Sequence, residues 1–221
     1  MEQHIEVGER TYRLERPADL ETLWERLDED AFTADERLPY WVEIWPASIF
    51  LARWLRKNNR RYQNSWCLDL GCGLGLTTSV ASEYSGRVVG LDYEFQALSF
   101  ARYSAGLNNL LSPNWLLMDW RDLGLKKNSF SCIWGADILY EARFFDPLFS
   151  LFQQLLAPGG TIWLSTPERR VARPFWDRLK RDSWKVSCLD QEFIAYKEYQ
   201  MQVFLYEIKP DGPPAGDPAE N

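Results

Sequence analysis

Two stretches of this sequence order their residues in a way that points to chemistry. In "CLDLGCGLGLTT", residues 67–78, an apolar run ends in Asp69 and passes directly into Gly71, Gly73 and Gly75 before helix-forming residues begin. Glycines at such a junction let the backbone turn sharply and approach a ligand with no side chain in between. In "GADILY", residues 135–140, a second apolar run ends in Asp137, with Tyr140 three residues on. A carboxylate beside an aromatic ring suits an amine that must be held as a cation and then lose a proton. Each stretch also has a plain alternative: a tight strand-to-helix turn with no ligand, and an Asp137 that caps a helix with Tyr140 packed beneath it.

The spacing of the first stretch narrows its ligand. A dinucleotide fingerprint puts its third glycine three residues after the second, but that position is Leu76, and Gly75 comes one residue early. Asp69 would repel a pyrophosphate yet suit a ligand carrying an ammonium group. The loop therefore favours S-adenosylmethionine over a nicotinamide dinucleotide. The next apolar run, "RVVGLD", ends in Asp92, 17 residues beyond Gly75, where a carboxylate can accept from both hydroxyls of a ribose. An ordinary strand-end acid is the competing reading. "LLMDW" then delivers Asp119 as an acceptor for an exocyclic amine and Trp120 as a flat ring for adenine, with core packing as the alternative for Trp120. Tyr93, next to Asp92, and Ala136, next to Asp137, join this candidate cofactor set.

These residues need a scaffold that brings strand ends to one edge. From residue 65 onward, apolar runs of strand length at about 65–70, 87–92, 114–118, 130–136 and 160–166 alternate with amphipathic stretches near 75–84, 94–108 and 142–156. That alternation predicts a doubly wound α/β fold with a mostly parallel sheet. "APGG" reads as a helix stop and turn. "RRVARPFWDRLKR" suits a further helix, and "WKVSCLD" and "EYQMQVFLYEI" a closing hairpin. Residues 1–60 contain a hairpin-like "HIEVGERTYRLERP", a helical "DLETLWERL" at 19–27, and the aromatic "PYWVEIWPAS" ahead of a helix. They are expected to cover or lid a core over 61–208, with 209–221 as a disordered, proline- and glycine-rich tail.

Composition excludes several functions. The chain of 221 residues has 25 basic and 32 acidic side chains, a formal net charge of -7, which removes the general attraction that nucleic-acid binders use on phosphates. No run approaches the roughly 20 apolar residues of a membrane span, and the start lacks a signal-peptide pattern, so a cytoplasmic location is expected. Four unpaired-looking cysteines read as free thiols, and a single histidine, His4, argues against a histidine metal site or triad, so no metal is expected. The basic "PERRVARP" at 167–174 reads as a solvated helix start.

Taken together, "EIWPASIFLARWL", "DLGCGLGLTT", "MDW" and "GADILY" resemble the class I, seven-strand S-adenosylmethionine-dependent methyltransferases. Within that class they resemble the protein-lysine methyltransferases that modify chaperones and the electron-transfer-flavoprotein β subunit. The resemblance covers about residues 39–166. It implies a sheet order of 3-2-1-4-5-7-6 with the seventh strand antiparallel, and S-adenosylhomocysteine as product. It also implies an acid-x-x-aromatic acceptor motif in Asp137 and Tyr140, and Trp45 lying against the cofactor. Tyr40 and Trp41 are then expected to wall the acceptor entrance, with packing alone as the other reading, and Glu43 to stand as a second acid there. The expected acceptor is a lysine on a protein. A small-molecule amine, as in nicotinamide-type N-methyltransferases, is the alternative, and a cofactor-binding protein without transfer is a third.

Overall fold

A computed structural model of the chain describes residues 1–25, 39–110, 113–197 and 199–211. The chain opens with β1 (Glu2–Val7) and β2 (Arg10–Glu15), an antiparallel hairpin, then a short α1 (Leu20–Trp24) capped by the Asp19 carboxylate on the Thr22 N–H at 2.8 Å. The rest of the 19–27 helical reading lies outside the described residues. A 3-10 turn at Tyr40–Val42 leads into α2 (Pro46–Lys57). Pro46 occupies its first turn, where a missing N–H costs nothing, and confines the preceding Trp45 to extended backbone (φ -76°, ψ 143°).

The remainder alternates as the apolar runs predict: β3 (Cys67–Leu70), α3 (Leu76–Ser82), β4 (Val88–Asp92), α4 (Phe95–Leu107), β5 (Asn114–Leu117) and β6 (Phe130–Ala136). These are followed by α5 (Phe145–Leu155), β7 (Leu156–Pro167), α6 (Arg173–Arg181), β8 (Trp184–Tyr196) and β9 (Tyr199–Pro210). The main sheet has seven strands in the order β5-β4-β3-β6-β7-β9-β8. β3 pairs in parallel with β4 and β6, whereas β9 runs antiparallel to both β7 and β8. Counted from β3, this is 3-2-1-4-5-7-6 with the last strand antiparallel, as expected.

Alternation along the strands divides the core between two faces. Leu68, Leu70, Ile133 and Leu164 face α5 and α6, where Phe149, Phe152 and Phe175 are buried. Cys67, Trp134 and Trp163 face α2, through Leu51, Trp54 and Leu55. Each such ring contributes about 1.5–3 kcal/mol by leaving water. The hairpin is held against α4 by polar bonds: Arg13 N–H to Asn108 Oδ1 at 2.9 Å, Asn108 Nδ2 to the Arg13 carbonyl at 2.7 Å, and Glu15 N–H to Ser104 Oγ at 2.9 Å.

Three boundaries differ from the sequence reading. "APGG" lies inside β7 as an irregularity, because the ladder with β6 continues across it from Phe130 opposite Leu156 to Cys132 opposite Thr161. β8 and β9 run 13 and 12 residues, longer than their apolar stretches, since each satisfies the other's backbone. β9 also carries through Pro210, so the first two residues assigned to the tail are strand, and 212–221 lie outside the described residues. Among the described residues, no helix is long and apolar enough to cross a membrane. The cysteines are free, with Cys67, Cys72 and Cys132 buried and Cys188 exposed.

Gly75 shows how tightly the α3 entrance is built. It caps α3 with φ +78°, and a Cβ there would stand 2.7 Å from the Trp115 ring and 2.9 Å from the Ala101 Cβ. Gly75→Ala is therefore expected to destabilise the fold by about 2–4 kcal/mol, from left-handed strain plus overpacking. Gly86→Ala, with open space around its Cβ, should change stability by less than about 0.5 kcal/mol. Urea unfolding of the two variants beside the parent measures both.

Candidate active site

The carboxyl ends of β3, β4 and β6 meet beneath the segment that precedes α2. At the end of β3, Asp69 is 1% exposed, and its Oδ2 accepts from the hydroxyls of Thr77 at 2.5 Å and Thr78 at 2.6 Å, both in the first turn of α3. Burial pushes its carboxyl up to about 6, against the opposing pull of those hydroxyls. At the end of β4, Asp92 accepts from the Gly73 N–H at 2.9 Å and the Glu94 N–H at 3.0 Å. It too is pushed up to about 6 by burial, with the backbone donors holding it down.

The loop between β3 and α3 is fixed by its own backbone. Gly71 and Gly73 take φ of +63° and +51°, Cys72 N–H donates to the Leu91 carbonyl at 3.0 Å, and Gly75 N–H to the Cys72 carbonyl at 2.8 Å. A Cβ on Gly73 would lie 3.3 Å from the Trp41 carbonyl oxygen, so the covering segment rests directly on the loop.

At the end of β6 the chain turns through Asp137, a non-glycine residue at φ +54° whose N–H donates to the Ser165 carbonyl at 2.7 Å. Its buried carboxylate is clasped by Arg169, Nε to Oδ1 at 2.9 Å and Nη2 to Oδ2 at 2.7 Å. Asp137 does not cap a helix here; a guanidinium from the turn after β7 takes both of its oxygens. Above it the Tyr140 ring meets Tyr40 edge-on at 5.3 Å and Phe144 at 6.2 Å, and burial holds the Tyr140 hydroxyl well above its ordinary range. Trp45 continues the row, 6.1 Å from Tyr40 and 5.4 Å from Tyr199, with its indole N–H on the Tyr40 carbonyl at 3.0 Å. Trp41 stacks on Phe100 of α4 at 6.0 Å.

One cleft of about 920 Å³, counting its space open to solvent, gathers most of the residues singled out from the sequence. Tyr40, Trp41, Glu43 and Trp45 line it from the covering segment, and Asp69, Gly71, Gly73, Asp92 and Tyr93 from the first two strand ends. Trp120, Ala136, Asp137 and Tyr140 complete it. Trp120 both lines the cleft and packs edge-on against Phe144 at 5.4 Å.

Three of the expected residues sit apart from this lining or are already paired. Gly75 lies outside the lining, because its bare α-carbon faces Trp115 and Ala101 and serves packing. Asp119 is also absent from the lining; its carboxylate is gripped by Arg121, with Nε at 3.0 and 2.9 Å and Nη2 at 2.6 Å, and Met118 stands at that level of the cleft instead. Glu43 borders the cleft, but its carboxylate is buried in ion pairs with Arg16 and, at 3.3 Å, Lys197. It anchors the covering segment to the hairpin and to the β8–β9 turn rather than offering a free acid.

The sequence reading missed Thr77, Thr78 and Arg169. The threonines carried a signal in their position, in the first turn of the helix after the loop. Arg169 carried a weaker one, as a basic residue two positions beyond the end of a strand that reaches the same edge. Among the described residues, no group of three or more His, Cys, Asp and Glu side chains could hold a metal ion.

A seven-stranded sheet with this order, a glycine loop after its central strand and acids at its carboxyl edge define the Rossmann-like fold of class I methyltransferases. Residues 68–164 match the family model described as a methyltransferase domain, and the cofactor of that class is S-adenosylmethionine, leaving S-adenosylhomocysteine. The chain is similar to the electron transfer flavoprotein beta subunit lysine methyltransferase of Danio rerio, 31% identical over 125 residues, which are 56% of this chain and 47% of that one. It is also similar to protein N-lysine methyltransferase METTL21A of Xenopus tropicalis, 28% identical over 127 residues, 56% of this chain and 59% of that one. The chain thus spans about half the length of these curated relatives. Among solved structures, P. horikoshii TYW2 in complex with MeSAdo shares the fold with a TM-score of 0.56 at 15% identity, covering 94% of this chain and 70% of that one.

The two raised carboxyls give the cleft a defined pH response. Each holds its proton to about pH 6 in the fold, against an ordinary value near 4, so the folded state binds more protons than the unfolded one between those values. Their contribution to stability therefore falls as pH rises through that window and is constant above it. A ligand that needs ionised acids responds in the opposite sense. S-adenosylhomocysteine affinity, measured by calorimetry, is expected to be flat above about pH 7 and to fall up to about tenfold per pH unit per acid below about pH 6.

Proposed function

We propose that this protein transfers the methyl group of S-adenosylmethionine to the ε-amine of a lysine on a protein substrate. The observation that carries this reading is the buried Asp137 carboxylate in the cleft that the edge-on pair of Tyr40 and Tyr140 also lines. Support for a protein acceptor comes from the lysine methyltransferases named among the relatives.

The residues present suit the cofactor. A side chain at Gly71 or Gly73 would intrude on Ile138 or on the Trp41 carbonyl, so the loop keeps its backbone bare toward the cleft. In this proposal Asp69 receives the ammonium group, Asp92 the ribose hydroxyls, and Met118 and Trp120 border the adenine, with Tyr93 and Ala136 beside them. When bound, S-adenosylmethionine supplies a methyl carbon on a sulfonium that a neutral nitrogen takes in line. The chain's own task is then positional. Asp137 draws the lysine ammonium in and orients it while its proton passes to water, and Tyr40 and Tyr140 exclude bulk solvent from the amine. Trp45, fixed by Pro46, closes over the cofactor, and residues 1–60 act as its cover on a core that extends through Pro210.

A cytoplasmic location fits three buried free thiols, and the acidic net charge argues against a nucleic-acid substrate. Incubation with methyl-labelled S-adenosylmethionine and a size-fractionated extract is expected to label protein. Label confined to small solutes would replace the lysine acceptor with a small amine, and cofactor binding with no label in any fraction would leave a binding protein. Asp137→Asn is expected to keep S-adenosylhomocysteine affinity while lowering kcat/KM by about 100-fold or more. Trp45→Ala should weaken S-adenosylhomocysteine by about tenfold, equivalent to roughly 1.4 kcal/mol. Unchanged turnover in the first, or unchanged affinity in the second, contradicts the role given to that residue.

A further inference from the structure

The acceptor end of the cleft presents a puzzle of charge. Asp137 is the acid that would draw in a lysine ammonium, yet both of its oxygens are already bonded to Arg169, at 2.9 and 2.7 Å. The Asp137 side chain is 4% exposed and that of Arg169 32%, so this is a substantially desolvated pair rather than a surface contact. A lysine arriving here meets a neutral pair. Each Asp137 oxygen has a second lone pair to offer, but the lysine gains a fully ionic partner where Arg169 gives up an oxygen.

Releasing Arg169 without replacement would leave a half-buried guanidinium unpaired, which is strongly unfavourable. The exchange balances if the substrate brings its own carboxylate for Arg169 to take. The planar fork that now grips Asp137 can grip another carboxylate in the same two-pronged manner. The surrounding turn extends the same preference: Arg170 and Arg173 are exposed, and no ion pair holds either one among the described residues, while Glu168 is the one acid in the 167–173 stretch. Through Arg169 this basic turn adjoins Asp137 of the cleft, in a protein whose net charge is -7.

We propose that Arg169 determines substrate choice, and that the acceptor lysine is flanked within one or two residues by aspartate or glutamate. Successive extended residues lie about 3.3 Å apart, which keeps such a carboxylate within reach of the guanidinium that leaves Asp137. On binding, the two ion pairs exchange partners: the lysine ammonium takes Asp137 and the substrate carboxylate takes Arg169, with Arg170 and Arg173 holding further acidic residues. This inference rests on the lysine-acceptor reading for its turnover test and is separated from it by a binding test.

The experiment uses the full chain and two lysine peptides that differ only in flanking Asp against the isosteric, neutral Asn. Wild type is expected to prefer the Asp peptide by about tenfold or more in kcat/KM, chiefly through KM, with the preference shrinking as salt is raised. Arg169→Gln should bring the Asp/Asn ratio close to one, Arg169→Lys should restore part of it, and the double change Arg170→Gln with Arg173→Gln should lower it about threefold. A ratio near one in wild type, or a ratio untouched by Arg169→Gln, overturns the proposal. If Arg169→Gln does not fold, Arg169→Lys and the double variant decide by the same ratio. If neither peptide is labelled, the lysine-acceptor reading fails, and calorimetric binding of the same peptides with S-adenosylhomocysteine present decides the inference separately. Tighter binding of the Asp peptide that is lost on changing Arg169 supports the exchange, and equal binding, or none, refutes it.

Discussion

Burying a carboxylate is costly unless its oxygens are satisfied, and this protein buries three of them at the ends of neighbouring parallel strands. Each is made tolerable in a different way. Asp69 receives two threonine hydroxyls, Asp92 two backbone N–H groups, and Asp137 a guanidinium. Neutral donors offset desolvation only in part, so Asp69 and Asp92 sit near 6 rather than near 4 and gain most from a ligand that brings further donors. Asp137 already has a full positive charge beside it, and only another cation can take its place there.

The fold follows from the need to bring those strand ends together. The order of the sheet reverses around β3, with β4 on one side and β6 on the other, and a crevice opens where consecutive crossovers depart in opposite directions. The glycines make that crevice usable. Gly71 and Gly73 turn the chain away with positive φ and let Asp92 reach the loop's own backbone, while Gly75 admits Trp115 behind the helix start. The covering segment closes the top through an aromatic row, and Glu43 fixes it by burying its charge between Arg16 and Lys197.

What could be read from the sequence was local. Apolar runs of strand length, their terminal acids and the glycine spacing lie within a few residues of one another, and they led to the mostly parallel sheet and to one edge as the candidate site, while the strand order came from the family resemblance. The differences arose where a charged side chain's partner was overlooked, most often in a distant segment. Asp119 looked like Asp92 by position, but its carboxylate pairs with Arg121, two residues on. Glu43 looked like a free acid because its partners lie 27 residues before it and 154 after it. Arg169 looked like a solvated helix start because nothing local marks a pairing with Asp137, 32 residues earlier. Strand ends in β8 and β9 were underestimated because the backbone ladder extends past the apolar residues that betray a strand.

The central claim is that buried, partly protonated acids at the strand ends are the cofactor's own contacts. It is tested most directly by counting protons when S-adenosylhomocysteine binds at about pH 6, using calorimetry in buffers of different ionisation enthalpy. With Asp69 and Asp92 each about half protonated at that pH, the account predicts release of up to roughly one proton per molecule bound, vanishing above about pH 8. Tight binding at pH 6 with a heat independent of buffer would contradict it.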